Sequence, residues 1–340
     1  MLIIPNLGAE QDLQRNAPTN ALKPFARRAM AALFPLYAHQ DEDGHSIKEF
    51  PRSHRPLNYL PTDIQEFYEP DSLFAFLNTP EILERANCEH RPLVGHPEAL
   101  SFHRRDWLHQ QLKTQESFQR SIEDVVAFNL SENSRESVIA EAANIIQATT
   151  SLQADRTWKP YFSASASGRC AGRGPTLSPD ELNFLRDTKH TGVCLEPWRR
   201  RARDYSTQFW LTDDGPVFLS STLQHTTPAG RYRGLTTTWY PNEQAQFQVK
   251  DLDNALHFEL AGQLFQCGYR GPLGIDGFEF HTEDGIRNRS VCEINARLTM
   301  AHLLLAERIN VGIPHDADLQ IDALSLDLKV DFLAKTPRNL

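Results

Sequence analysis

The sequence predicts an α+β protein in which antiparallel hairpins and amphipathic helices alternate along 340 residues. Two hairpins are predicted, because strand-like segments flank turn residues at Asp213-Asp214-Gly215 and at Asp284-Gly285. A helix is predicted over Ser134 to Ile146, where apolar residues recur with the spacing of one helix face. A strand, a turn and a helix over Arg91 to Leu112 indicate a smaller α/β unit before these elements.

The composition narrows the class of protein. Hydrophobic residues at 40% and charged residues at 23% are typical of a globular protein, and the net charge of -9 argues against a general nucleic-acid binder. The five cysteines are widely spaced without a CxxC pair, which indicates a reducing compartment rather than a disulfide framework. No signal peptide opens the chain, and the apolar run 29–38 is too short to span a membrane. We therefore expect a cytoplasmic protein with no membrane and no nucleic-acid partner.

The first third of the chain carries few chemical signals. Leu2 to Pro5 is predicted as a short strand, Ala21 to Tyr37 as a helix, and His39 to Tyr68 as a long loop or insertion. Arg91 to Gly95 is predicted as a strand and Glu98 to Leu112 as a helix. The whole chain lacks GxGxxG and GxxxxGK[ST], so neither a Rossmann dinucleotide site nor a P-loop is supported.

Asn133 and Glu136 form a candidate capping box for the helix predicted over Ser134 to Ile146. A glycine-containing loop follows this helix. The strand around Lys159 runs into Ser163 to Gly174, whose sequence is SASASGRCAGRG. Glycines let backbone N–H groups crowd around phosphate oxygens, and Lys159, Arg169 and Arg173 supply positive charge. A flexible Ser/Gly linker explains the same composition.

The segments that follow are predicted to contain a strand, a basic run and two helices. Gly192 to Glu196 is predicted as a strand that ends at Pro197, and the arginine run 199–203 fits a solvated loop or an anion site. Arg231 and Arg233, in a glycine-containing loop, are candidate phosphate ligands. Two further helices are predicted over Asp253 to Cys267, with Gly268 as the C-cap, and over Leu298 to Ile309.

The second hairpin brings acidic and amide groups together. Its strands are predicted over Leu273 to His281 and Arg289 to Arg297. With Asp284-Gly285 as the turn, Glu283 pairs with Ile286 and Asp276 falls opposite Glu293, with their Cβ atoms about 5 Å apart. Side chains alternate along a strand, so Asp276 shares a face with the three residues Glu293, Asn295 and Arg297.

Two opposed carboxylates beside an amide oxygen predict a magnesium site, because Mg²⁺ takes oxygen ligands from one or two carboxylates and from phosphates. Arg297 lies further along the same face, where it can meet a phosphate. The alternative is a surface hairpin whose charges are solvated. A single β-bulge would also replace Asp276 by Glu279 as the ligand.

Three motifs in order resemble the ATP-grasp family. They are Lys159 with its glycine loop, the VCLEPW strand end at Glu196, and GID at residues 274–276 followed by EINAR at residues 293–297. The resemblance covers roughly residues 121–310. It implies an ATP-grasp fold, in which two α+β subdomains sandwich ATP, over residues 119–340, preceded by an α/β domain over residues 1–118.

The resemblance also implies roles for individual residues. Asp276, Glu293 and Asn295 are expected to hold magnesium on ATP. Adenine is expected at Glu196 and ribose at Asp204. Trp198 is a further candidate nucleotide-binding residue, for which packing in the core is the alternative. The full set of candidate nucleotide-binding residues is Lys159, Ser167, Gly168, Arg169, Gly172, Glu196, Trp198 and Asp204. The candidate catalytic residues are Lys159, Arg231 and Arg297.

The implied activity is an ATP-dependent ligase that joins a carboxylate to an amine through an acyl phosphate. Its expected ligands are ATP, Mg²⁺ and small-molecule carboxylate and amine substrates. A homodimer is a candidate assembly. Two alternatives remain: a phosphotransferase on the same fold, and a non-catalytic nucleotide-binding protein.

Overall fold

A computed structural model describes residues 2–4, 73–75, 78–97, 99–113, 124–131, 134–162, 168–187, 190–227, 232–237, 255–302, 317–322 and 328–332. Helices and mainly antiparallel sheets alternate in this part of the chain, which confirms the predicted α+β class. The expected helix at 21–37, the loop at 39–68 and the domain boundary at 118 lie outside the described residues. Among the residues that the structure describes, no helix is long and apolar enough to cross a membrane.

The N-terminal elements form a small α/β unit. Strands β1 (Leu2–Ile4) and β2 (Leu73–Ala75) pair in parallel, and helix α1 (Pro80–Cys88) buries Ile82 and Ala86 against β2. The strand predicted over residues 91–95 is wrong, because that segment forms only a single bridge between Leu93 and Leu73.

Two helices occupy the segment that the sequence predicted as one. They are α2 (Ala99–His103) and α3 (Arg105–Lys113), separated at Arg104. Arg104 holds Asp106 through two hydrogen bonds of 2.9 and 2.7 Å, and its guanidinium lies 5.4 Å from the centre of the Tyr161 ring. The break places the start of α3 against the strand that carries Lys159, since the Arg105 N–H donates to the Tyr161 carbonyl.

A four-stranded antiparallel sheet follows, with strand order β3-β6-β4-β5. Its strands are β3 (Val126–Asn129), β4 (Asp155–Pro160), β5 (Cys170–Arg173) and β6 (Gly192–Pro197). The helices associated with it are α4 (Arg135–Ala148), α5 (Thr150–Ala154) and α6 (Pro179–Arg186). One buried core joins them, built around Trp158 with apolar residues of the helices.

Capping residues set where these helices begin. Ser178 and Glu181 form a full capping box at α6, with Pro179 in the first turn. For α4 the N-cap is Ser134, whose hydroxyl accepts from the Ser137 N–H at 3.2 Å. The predicted cap at Asn133 is therefore one residue too early.

The larger sheet has seven strands in the order β11-β10-β7-β8-β9-β12-β13, all antiparallel. Its strands are β7 (Arg201–Leu211), β8 (Pro216–Thr226), β9 (Tyr232–Thr237), β10 (Gly271–Thr282), β11 (Gly285–Asn295), β12 (Ala317–Asp322) and β13 (Leu328–Phe332). Helix α7 (Ala255–Gln266) buries Leu260 and Leu264 against it, and Gly268 at φ 89° follows the helix as predicted. The arginine run 199–203, for which a solvated loop and an anion site were both open, enters β7 at Arg201.

The β10–β11 register confirms the predicted pairing of Asp276 with Glu293, but the turn and the pairing next to it differ from the prediction. Asp276 pairs with Glu293 as predicted. Next to the turn, however, Thr282 pairs with Gly285, so the turn residues are Glu283 and Asp284. The pairing near the turn is therefore shifted by two positions from the predicted register. An irregularity beside Gly277 removes the shift. A Cβ on Gly277 would lie 2.3 Å from the Ser290 carbonyl oxygen, so only glycine fits there without movement.

Candidate functional site

The candidate site is a cavity of about 180 Å³ bounded by both sheets and by the start of α3. Strands β7, β8, β10 and β11 form its floor, and β4 and Arg105 border it from the smaller sheet and α3. Seven of the predicted site residues line it: Lys159, Arg169, Asp204, Asp276, Glu293, Asn295 and Arg297. Residues more than 130 positions apart in the chain thus meet at one place.

The predicted magnesium ligands lie together in this cavity. The Gln224 side-chain amide donates to one Asp276 oxygen at 3.0 Å, and the Asn295 amide donates to the other at 3.0 Å. Burial and the nearby Glu293 carboxylate together raise the pKa of Asp276 to about 7. A pKa raised in this way indicates a carboxyl group that lacks a full positive partner.

Glu293 is held by a residue that the sequence did not single out. The Arg105 guanidinium, 9% exposed, donates to Glu293 at 2.7 Å and to the Pro160 carbonyl at 2.9 Å. Arg105 therefore connects the acidic hairpin with the end of the Lys159 strand. No motif surrounds it, and 188 residues separate it from Glu293, so a sequence pattern offers no signal for the pair.

Lys159 and Glu196 form an ion pair, and Arg289 contacts the same carboxylate at 2.9 Å. Burial alone would raise the pKa of Glu196, but Lys159 and Arg289 together hold it well below its usual range. These three side chains border a second cavity of about 10 Å³ beside the first, and Lys159 borders both. Glu196 was predicted from the sequence, whereas Arg289 was not.

The connection between the two sheets carries a stack of arginines and aromatic rings. The Arg169 and Arg201 guanidinium groups lie 4.7 and 5.6 Å from the centre of the Trp198 ring, and Arg201 also stacks on Phe278. Arg201 donates to Asp204 at 2.6 Å, and Thr226 donates to the other Asp204 oxygen at 2.8 Å. Trp198 does not line the cavity, but its ring packs against Arg169 and Arg201, which do line it.

The glycine loop is described only from Gly168 onward, so Ser167 lies outside the described residues, as does Arg231. Gly168 adopts φ 68°, which favours glycine. Gly172 has a packing role, because a Cβ there would lie 1.9 Å from a Glu181 oxygen. Neither of these two glycines lines the cavity.

Glu279, the alternative ligand, lies elsewhere. It pairs with Arg203 at 2.5 Å and does not line the cavity. The irregular register beside Gly277 thus leaves Asp276, and not Glu279, opposite Glu293.

The rest of the cavity floor is uncharged and polar. Ser206, Gln208, Thr222 and Gln224 project from β7 and β8. Gln208 donates to Ser206 at 2.8 Å and accepts from Ser220 at 2.7 Å, so these three buried side chains satisfy one another. These side chains offer hydrogen bonds to a polar ligand.

The donor set fits magnesium rather than a transition metal. Among the described residues, no group of three or more histidine, cysteine, aspartate and glutamate side chains is placed to hold a metal ion. Two carboxylates and one amide are enough for Mg²⁺, which keeps several water or phosphate oxygens. The raised pKa of Asp276 agrees with a site that a cation completes.

Comparison with known proteins finds likeness in structure only. No protein-family model matches the chain, and no curated protein matches it. Solved structures that match include D-alanyl-alanine synthetase A from Vibrio cholerae, at 14% identity and TM-score 0.44, with 66% of each chain covered. Another is carboxyaminoimidazole ribonucleotide synthase from Aspergillus clavatus complexed with ATP, at 15% identity and TM-score 0.48, covering 87% of this chain and 71% of that one.

A third match is the biotin carboxylase domain of 2-oxoglutarate carboxylase from Hydrogenobacter thermophilus, at 12% identity and TM-score 0.48, covering 74% of this chain and 57% of that one. The chain spans 66%, 54% and 20% of the lengths of the Vibrio synthetase, of purK and of Rhizobium etli pyruvate carboxylase. ATP-grasp ligases are thus among the structures that it resembles, as the motifs predict. At these identities and TM-scores, nothing about its reaction or substrate follows from the likeness.

Proposed function

We propose that this protein is an ATP-dependent ligase of the ATP-grasp kind, which joins a carboxylate to an amine through an acyl phosphate. One observation carries the proposal: the two carboxylates, the amide and the arginine predicted on one hairpin line the same cavity as Lys159, which was predicted from a separate strand. Among the described residues, the charged side chains that line it are five cations, Arg105, Lys159, Arg169, Arg201 and Arg297, and three anions, Asp204, Asp276 and Glu293. A cationic cavity in a chain of net charge -9 favours an anionic ligand.

In this proposal Asp276, Glu293 and Asn295 hold magnesium on the nucleotide. When bound, the ion neutralises charge on the phosphates and aligns them. The three ligands come from neighbouring positions on β10 and β11, so the paired strands set their spacing. The Gln224 amide fixes the Asp276 carboxyl from β8.

The nucleotide is proposed to lie between the two sheets, as in an ATP-grasp layout with the four-stranded unit as one lobe. Lys159 and Arg169 are proposed to face the phosphates, and Ser167 and Gly168 of the same loop are further candidate phosphate ligands. The strand end from Glu196 to Trp198 bounds the adenine, and Asp204 meets the ribose. The Arg169–Trp198 stack supports this placement, because it holds a guanidinium at the cavity wall beside the strand end.

Arg297, with Arg231 as a second candidate, is proposed to hold the carboxylate substrate. One Arg297 N–H donates to the Leu298 carbonyl at 2.8 Å, which fixes the guanidinium at the cavity edge. A carboxylate oxygen attacks the γ-phosphorus, the bond to ADP breaks, and the amine then attacks the acyl carbon and displaces phosphate with loss of a proton. Positioning and charge stabilisation supply most of the catalysis in such transfers.

The experiment that tests this function is ADP release with a panel of carboxylates in the presence of Mg²⁺ and hydroxylamine. A ligase gives a carboxylate-dependent hydroxamate, because hydroxylamine intercepts the acyl phosphate. Carboxylate-stimulated ADP release with a stable phosphorylated product and no hydroxamate would identify a phosphotransferase. Saturable Mg-ATP binding without ADP release from any carboxylate would identify a binding protein.

A further inference from the structure

We propose that Arg289 is a positioning residue that frees Lys159 to engage an anionic ligand. The inference rests on the proposed nucleotide-binding role of Lys159. It starts from the contact of one buried carboxylate, Glu196, with two cations from different sheets: Lys159 from β4 and Arg289 from β11.

Glu196 cannot be left without a cation. Its side chain is 6% exposed, and removing the partner of a buried charge costs several kcal/mol, about 3–5 in measured cases. If Lys159 were its only partner, turning Lys159 toward a phosphate would strand the carboxylate. With Arg289 at 2.9 Å the carboxylate keeps a partner, so Lys159 can exchange Glu196 for another anion at lower cost.

The cavities show which of the two cations is able to leave. Lys159 borders both the large cavity and the small one, whereas Arg289 borders only the small one. Arg289 is also confined, since its side chain is 10% exposed and its guanidinium lies 5.6 Å from the centre of the Phe278 ring. Lysine has a flexible stem and a single ammonium group, while the planar guanidinium suits a fixed ion pair.

The test compares Arg289→Gln in two backgrounds, wild type and Glu196→Gln. In the wild-type background, Lys159 becomes the only ion-pair partner of Glu196 among the described residues, so Mg-ATP affinity measured by calorimetry should fall about tenfold. In the Glu196→Gln background the Glu196 carboxylate no longer holds Lys159, and the same substitution should change affinity by less than about twofold. The matched control is Arg287→Gln, an exposed arginine of the same strand that pairs with Asp284.

A second measurement needs no nucleotide. The rate at which a small acylating reagent modifies Lys159, followed by peptide mass spectrometry, should fall several-fold in Arg289→Gln, with the exposed Lys113 as internal reference. An unchanged Lys159 rate, or equal loss of affinity in both backgrounds, overturns the proposal. If the Lys159 rate falls but wild type binds no Mg-ATP, the proposed function fails and the role of Arg289 toward Lys159 stands.

Discussion

Asp276 and Glu293 lie directly opposite each other on β10 and β11, yet they are held in different ways. Asp276 receives two neutral amide donors, from Gln224 and Asn295, at 3.0 Å each. Glu293 receives the Arg105 guanidinium at 2.7 Å. Among the described residues, Glu293 therefore forms an ion pair, whereas Asp276 is held by neutral amides.

Glu293→Gln is expected to weaken Mg-ATP binding by at least about tenfold, because it removes one anionic ligand of the proposed magnesium site. The measurement is calorimetric titration of ATP with and without Mg²⁺. Glu279→Gln is the matched control, since it also breaks a glutamate–arginine pair but lies outside the cavity. Similar losses of affinity in both variants would contradict the assignment of Glu293.

Asp276 is expected to make the stability of the magnesium-free protein fall as pH rises. Its folded pKa is about 7 and its ordinary value is 3.8, so the folded state binds more protons than the unfolded state between these pH values. The stability that protonated Asp276 contributes is complete below about pH 4 and is lost as pH rises through about 7. At about 1.4 kcal/mol per pKa unit, the loss is a few kcal/mol.

Denaturant unfolding between about pH 4 and pH 8 measures this effect as the difference between wild type and Asp276→Asn. The variant should lack the decline, and the exposed Asp284→Asn, on the same hairpin, should retain it. Magnesium with nucleotide should offset the decline at the upper end of the range. Equal slopes in wild type and Asp276→Asn would show that Asp276 ionises in its ordinary range.

Gly277→Ala is expected to destabilise the protein by about 1–3 kcal/mol and to weaken Mg-ATP binding, because the new methyl group collides with the Ser290 carbonyl at 2.3 Å and with the Tyr205 ring at 2.6 Å. The collision forces β11 away from the register that places Glu293 opposite Asp276. Gly262→Ala, in α7 with no atom within 4 Å of the added Cβ, is the control and should stabilise by about 0.5–1 kcal/mol. Denaturant unfolding and calorimetry distinguish the two variants, and a neutral effect of Gly277→Ala would contradict the tight register.

The sequence predicted the elements whose signals are local. Both hairpins, α7 with its glycine cap and the strand ending at Pro197 agree with expectation, because turn residues and apolar spacing act over a few residues. The prediction of a strand over residues 91–95 was wrong, because an apolar run does not show whether a partner strand pairs along its whole length. The predicted opposition of Asp276 and Glu293 is right although the predicted turn is displaced, since the irregular pairing beside Gly277 compensates.

The sequence by itself determined which kinds of side chain form the candidate site: the carboxylates and amide of the acidic hairpin, the lysine before a glycine loop and the arginine of EINAR. Tertiary structure decided which counter-charges those residues meet. Arg105 reaches Glu293 from α3, and Arg289 reaches Glu196 from the other sheet. Such contacts join residues about 90 to 190 positions apart. They depend on how packed sheets and helices are oriented in space, and a spacing pattern along one chain does not carry that information.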